Sequence, residues 1–336
     1  MDTNERVENK VQLISGFWRR LFAFIIDGII LGIFGLIVGT LFFDYFAEIG
    51  GYGRIVGFIV ALLYFGLLNS SISNGQTVGK RILKIKVIGN NAQALSPSQS
   101  IVRFLIIGLP YFLNGAIVPP DIMLNSFIYI PLSLIVFFMG GSIIYLYIFN
   151  RKTRQSLHDL VVGSYVIRTT STQELITSPI WKGHLAIVSL IFLSVIVLTT
   201  IVIPRLSNTE FFSEILAVQK SIQKSGLVHV ATVTVGKSFG TKTGAEGKEK
   251  WETTFLSANA VLKHRPSNYE EVINAIASIV LDTYPPIMEK DTLIVNVTYG
   301  YDIGISYATI KERKQHSPKE WHELLSQSNK KTERNL

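Results

Sequence analysis

The sequence predicts an α-helical integral membrane bundle of about five transmembrane helices. A small β element lies on the cytoplasmic side of that bundle, and an α+β extracytoplasmic domain follows, of order αββαββα with an antiparallel sheet. Three observations carry this expectation. Of the 336 residues, 48% are hydrophobic and only 17% charged, too few charges for an ordinary soluble chain of this length. The apolar residues gather into long, nearly uncharged runs that end before residue 204. The rest alternates strand-like and helix-like patterns between turn signals.

Residues 1–18 mix Asp2, Glu5 and Glu8 with Arg6 and Lys10. The apolar run behind them is too long for the core of a cleavable signal, so they read as a cytoplasmic N-terminal segment. The expected spans are 21–43, 55–73, 102–118, 125–149 and 184–204. The first has Asp27 as its only charge. The third is short and holds Pro110, which removes a backbone bond, so a broken or tilted helix is expected there. Loop charges set the topology. Arg6, Lys10, Arg19 and Arg20 precede the first span, and Lys80, Arg81, Lys84, Lys86 and Arg103 follow the second. Arg151, Lys152, Arg154, Arg168 and Lys182 follow the fourth. Five spans put all three groups on one side, which the positive-inside rule makes cytoplasmic. A membrane domain over 19–170, a cytoplasmic linker over 171–183, a fifth helix over 184–204 and an extracytoplasmic domain over 205–336 follow from this.

In that last domain, Ser207-Asn208-Thr209 can cap a helix over Glu210–Lys224. Leu227–Val235 and Trp251–Leu262 read as strands joined by a Gly/Lys-rich loop, Gly236–Lys250. Ser267 with Glu270 opens a second helix, which Pro285-Pro286 ends. Leu293–Tyr299 and Ile303–Ile310 read as a hairpin around Gly300-Tyr301-Asp302. Ser317-Pro318 starts a last helix.

Four charged residues are the candidate network: Arg20, Asp27, Arg103 and Asp159. Arg20 and Asp27 lie within roughly 20° on one helix face, yet about 10 Å apart along it. Side chains lean toward the helix N-terminus, so the two are aligned but not expected to pair. Arg103, entering the third span from the same side, is the favoured partner of Asp27, with Lys80 and Arg81 next. Arg20 is expected to meet Asp159. His158 stands beside Asp159, and Ser156 with Asp159 also fits a helix-capping box. Asp27 is open to three readings: a fixed salt bridge, a proton- or cation-binding carboxylate, or a neutral hydrogen-bonding acid. Gly28, Gly32, Gly35 and Gly39 form a small-residue seam expected to pack a second helix.

The stretch "NGQTVGKRILKIKVIG" lacks phosphate-loop spacing, because Arg81 stands where Ser or Thr is needed. Asn74-Gly75 reads as a turn, and residues 82–87 as a short strand that Ser164–Arg168 can pair with.

Three segments together resemble the RDD family of small bacterial membrane proteins. They are "FWRRLFAFIIDG" with Arg20 and Asp27, "GQTVGKRILKIKVIG", and "SLHDLVVGSYVI" with Asp159. The resemblance covers about residues 12–170; the fifth span and the domain beyond it lie outside. It implies residues to watch more than an activity: some members look like cation/proton antiporters and others like regulators of membrane partners. It also implies a bacterial cytoplasmic membrane.

Function classes narrow accordingly. The chain has no cysteine, which excludes disulfides, thiolate metal sites and cysteine nucleophiles. His229, His264, His316 and His322 are scattered without metal-ligand spacing, so no enzyme, metal or cofactor is expected. The net charge of +8 is explained by basic cytoplasmic loops, so no nucleic acid is expected as a partner. Two readings stay open. One is a cation/proton carrier, or a subunit of one, that uses the buried Asp27. The other is a non-enzymatic membrane anchor, scaffold or regulator whose exported domain binds an envelope partner. Beyond the bilayer itself, a homo-oligomer through the glycine seam and an extracytoplasmic protein are the partners considered.

Overall fold

The computed structural model describes residues 14–115, 126–169, 179–244 and 247–333. Arg6 and Lys10, the end of the third expected span, and most of the linker expected over 171–183 lie outside the described residues.

Among the described residues, four helices are long and apolar enough to cross a membrane. The first is α1, Phe17–Leu41. The second is made of α2 (Phe43–Ile49) and α3 (Gly53–Leu68), joined by a 3-10 turn, Gly50–Tyr52. The others are α6 (Phe127–Phe149), with a π-helical stretch in its middle at Leu134–Met139, and α8 (Lys182–Ser207), with one toward its C-terminal end at Leu198–Val202. Between the second and third runs the chain forms α4 (Val78–Ile82), strand β1 (Ile85–Gly89) and α5 (Pro97–Leu113). With 17 residues, α5 is about 25 Å long, short of a hydrocarbon core of about 30 Å. It is therefore not one of the four, although the third expected span begins on it. Its N-terminus is fixed by a capping box between Ser96 and Gln99. After α6 come α7 (Leu157–Val162) and β2 (Ser164–Arg168). β2 pairs antiparallel with β1, Val87 opposite Val166. The strand expected over 82–87 thus starts later, because Thr77 caps a helical turn that uses Ile82.

The second part holds α9 (Glu210–Lys224), β3 (Val228–Gly244), β4 (Gly247–Leu262), α10 (Tyr269–Thr283), β5 (Thr292–Asp302), β6 (Tyr307–His316) and α11 (Pro318–Glu333). The sheet order is β3-β4-β5-β6. Three expectations change. The sheet is mixed, not antiparallel: β4 and β5 run parallel, because α10 carries the chain back along the sheet as a crossover. The loop expected over Gly236–Lys250 is largely strand, with Lys237 opposite Thr254 and Gly240 opposite Trp251. The β5–β6 turn is not at Gly300-Tyr301-Asp302 but at residues 303–306. Gly300 sits inside β5, and Gly304 supplies the positive φ of 79° that the turn requires.

The core of this part lies under one face of the sheet. Leu293, Val295, Val297 and Tyr299 alternate inward along β5 and meet Ile222 of α9 and Ile276 and Val280 of α10. Trp321 of α11 is fully buried and donates its indole N–H to the Leu293 carbonyl at 3.0 Å.

Candidate functional site

Two carboxylates in the helical part are completely buried, Asp27 and Asp159. A buried charge is costly unless it is paired or hydrogen-bonded, so their partners define the site.

Asp159 sits in the first turn of α7, in a capping box with Ser156, whose N–H donates to it at 3.3 Å. Its Oδ1 accepts from Arg103 Nη2 at 2.8 Å, Arg103 Nε at 3.0 Å and Ser164 Oγ at 2.9 Å. Its Oδ2 accepts from Arg20 Nη2 at 2.7 Å. One carboxylate thus joins α1, α5, α7 and β2. Arg20 also donates to the Arg154 carbonyl and lies 5.2 Å from the Tyr147 ring centre, a cation–π distance. Burial alone would raise the Asp159 pKa, but His158, Arg103 and Arg20 outweigh it and hold the carboxyl well below its usual range. His158 lies 3.4 Å from the same carboxylate. Burial pushes its own pKa down to about 3, so at neutral pH it is an uncharged imidazole, and the two guanidiniums balance Asp159.

Asp27 lies deeper on α1 and does not meet Arg103, which corrects the expected pairing. Its Oδ1 accepts from Tyr64 Oη of α3 and from the Gly79 N–H, both at 2.8 Å, and its Oδ2 from Thr77 Oγ1 at 2.6 Å. The reason is the short α4, whose first turn abuts α1. Thr77 is its N-cap, and its N–H groups need an acceptor. Gly79 makes the approach possible, since a Cβ there would overlap the Ala23 carbonyl. Arg103 is taken by Asp159 instead. Lys80 Nζ is 3.5 Å from Thr77 Oγ1. Burial, reinforced by Arg103 and Arg20, lowers its pKa to about 7 against the pull of Asp27 and Asp159. Arg81 donates to Ser73 Oγ at 2.5 Å and braces the turn after α3.

The glycine seam also finds an unexpected partner. Gly32, Gly35 and Gly39 face the β5–β6 hairpin instead of a helix. A Cβ on Gly39 would strike the Tyr301 ring, and one on Gly35 would lie 2.9 Å from Ile305 Cγ1 and Ser306 Cβ. On α3, a Cβ at Gly57 would overlap the Ile303 carbonyl oxygen. Gly28 faces open space. The hairpin tip is therefore seated between α1, α3 and α5. Arg54 clamps it, with Nε 3.0 Å and Nη2 2.9 Å from Asp302 Oδ2, and its Nη1 bonded to the Phe112 and Asn114 carbonyls. Tyr111 Oη donates to the Gly304 carbonyl at 3.0 Å, and Tyr299 Oη to Asp44 at 2.9 Å. The seam reads as a helix contact from spacing alone because backbone from a hairpin uses the same close approach.

Sequence reasoning missed Tyr64, Thr77, Gly79, Arg54 and Ser164. Tyr64 is a polar group in an uncharged run, and Thr77-x-Gly79 has the shape of an N-cap, so both were open to detection. Arg54 gave no such signal.

Residues 14–163 match the model of the RDD family. This segment belongs to the RDD family. Its arginine and two aspartates, Arg20, Asp27 and Asp159, are the residues that organise the two buried centres. The chain is similar to two Bacillus subtilis (strain 168) proteins. One is "Uncharacterized protein YxaI", 29% identical over 31% of this chain and 79% of that protein. The other is "Uncharacterized protein YckC", 26% identical over 48% of this chain and 88% of that protein. No solved structure matches the chain. With its apolar helices and the RDD segment, this is a membrane protein. Among the described residues, no cluster of His, Cys, Asp and Glu is arranged to hold a metal ion.

Proposed function

We propose that the protein is a non-enzymatic membrane scaffold that holds its sheet domain in a fixed attitude on the outer face of a bacterial cytoplasmic membrane, where that domain binds an envelope partner. The observation that carries this reading is the hairpin tip Asp302–Ser306 seated among α1, α3 and α5. A domain that only needed tethering would require a linker, whereas this one is keyed into the helices by Tyr301, Ile303 and the Arg54 clamp. The orientation is supported by charge. Arg20, Lys80, Arg103, Arg154 and Arg168 gather at the end of the bundle opposite the sheet domain, and basic ends stay cytoplasmic. This orientation requires α5 to serve as a fifth, short crossing, which leaves the N-terminus inside and the sheet domain outside.

The transport reading draws less support. A carboxylate that carries ions needs a route for them, yet Asp27 is sealed and its oxygens are held by three protein donors. A homo-oligomer built on the glycine seam also loses its footing, because the hairpin covers most of that seam. Proteoliposomes test the choice. The scaffold reading expects no cation-driven proton flux above protein-free vesicles. A flux that Asp27→Asn abolishes would establish a carrier instead. The chain has no cysteine, so a single Lys250→Cys labelled in intact cells by a membrane-impermeant maleimide checks the orientation.

A further inference from the structure

Between α1, α3, α5 and α6, at the end of the bundle that holds Asp159, lies a cavity of about 340 Å³. Its charged lining is one-sided. Arg20, Lys80 and Arg103 border it, whereas Asp27 and Asp159 stand behind them and do not. The two guanidiniums offset the two carboxylates, so the positive excess rests on Lys80, which is only partly protonated at neutral pH until an anion arrives beside it. Two further lining residues, Asn69 and His158, are more than nine-tenths buried, and each carries an atom with no protein partner: Asn69 Oδ1 and His158 Nδ1. With His158 Nε2 turned to Asp159, its Nδ1 is an acceptor in the neutral ring. The cavity therefore offers cations for an anion and acceptors for hydroxyl groups.

The other walls are apolar. Phe24, Phe65, Phe104 and Ile107 also line a second cavity of about 120 Å³, which runs on past Gly28 to the hairpin tip at Ile305. From Arg20 to Gly28 the rise along α1 is about 12 Å. A free anion has no use for such a groove, whereas an acyl chain fills it. Phe24 and Ile144, on the cavity wall, are 52% and 62% exposed on the apolar flank of the bundle, so the cavity opens sideways toward lipid.

We propose that this cavity is a binding site for one anionic phospholipid with a hydroxyl-bearing headgroup. The phosphate lies against Arg20, Lys80 and Arg103, the headgroup hydroxyls reach Asn69 and His158, and an acyl chain follows the groove to Gly28. The site does not depend on the scaffold reading, since a carrier could hold the same lipid.

The test is native mass spectrometry of the detergent-purified full chain titrated with phosphatidylglycerol, with phosphatidylcholine and with inorganic phosphate. One phosphatidylglycerol should bind in clear preference to phosphatidylcholine, and inorganic phosphate should not displace it at matched concentration. Lys80→Gln should weaken phosphatidylglycerol by about tenfold, the scale of one charge-assisted contact. Gly28→Leu, which keeps every cation and fills open space, should weaken it comparably. Equal binding of the two lipids overturns the proposal. Displacement by inorganic phosphate makes this a free-anion site, and unchanged affinity in Gly28→Leu removes the acyl groove; either result also overturns it. If Lys80→Gln does not fold, the lipid comparison and Gly28→Leu decide alone.

Discussion

Replacing Asp159 by alanine removes the one carboxylate that balances two buried guanidiniums. Arg20 and Arg103 side chains are each 8% exposed, so both are largely desolvated. Breaking a buried ion pair by deleting one partner costs about 3–5 kcal/mol, because the surviving charge stays desolvated. The capping interaction at Ser156 adds about 1 kcal/mol. A loss of roughly 4–6 kcal/mol is expected, comparable with the whole stability of many proteins. Denaturant unfolding in mild detergent, followed by tryptophan fluorescence, reads it. The informative control is the triple variant Arg20→Met, Arg103→Met, Asp159→Met, which removes all three charges and should lie close to wild type. The acid dependence has a definite sign. The folded pKa of Asp159 lies below its ordinary 3.8. Its contribution is therefore complete above that value and is lost only as pH falls through and below it. The titration of Asp159 itself should add no slope to the gap between wild type and Asp159→Ala from about pH 5 to pH 9. A loss under about 1 kcal/mol, or a triple variant as unstable as the single one, would refute the reasoning.

Other outcomes follow from the same contacts. His158 has a folded pKa of about 3 against an ordinary 6.5, so the unfolded chain binds the extra proton between those values. Stability should then fall as pH drops from 6.5 toward 3, by at most about 1.4 kcal/mol per pH unit, and His158→Gln should flatten that slope in the same unfolding assay. Gly57→Ala puts a methyl against the Ile303 carbonyl and should cost about 1–3 kcal/mol through overpacking, with faster proteolysis in the 303–306 turn. Gly28→Ala, which meets nothing within 4 Å, should stay within about 0.5 kcal/mol of wild type.

Much of the fold was legible because it is local. Apolar runs mark α1, α3, α6 and α8, and helix α9 covers the Glu210–Lys224 range expected behind its Thr209 cap position. Helix rise alone separates Arg20 from Asp27. What escaped is long-range. Asp27 and Gly79 are 52 residues apart, and the contact uses a backbone N–H, which no side-chain pattern reveals. Arg54 and Asp302 are 248 residues apart, and a basic residue at a span boundary looks like a topology signal first. The parallel β4–β5 pairing follows from the crossover through α10, not from the strands' own sequences. The apolar tip Ile303-Gly304-Ile305 was the overlooked clue: hairpin turns facing water are seldom so apolar, and here the tip faces helices.

The seating of the hairpin in the bundle is what fixes the sheet domain on the helices. A Cβ at Gly35 lies 2.9 Å from Ser306 Cβ, closer than the roughly 3.8 Å of a disulfide, so the hairpin tip accepts the bond by giving way by about 1 Å. The pair Gly35→Cys and Ser306→Cys, introduced into a chain with no other cysteine, tests that seating directly in native membranes. Rapid intramolecular disulfide formation is expected under mild oxidant, read as a mobility shift reversed by reductant, while Gly28→Cys with Ser306→Cys stays reduced. A Gly35/Ser306 pair that remains free under the same conditions would contradict it.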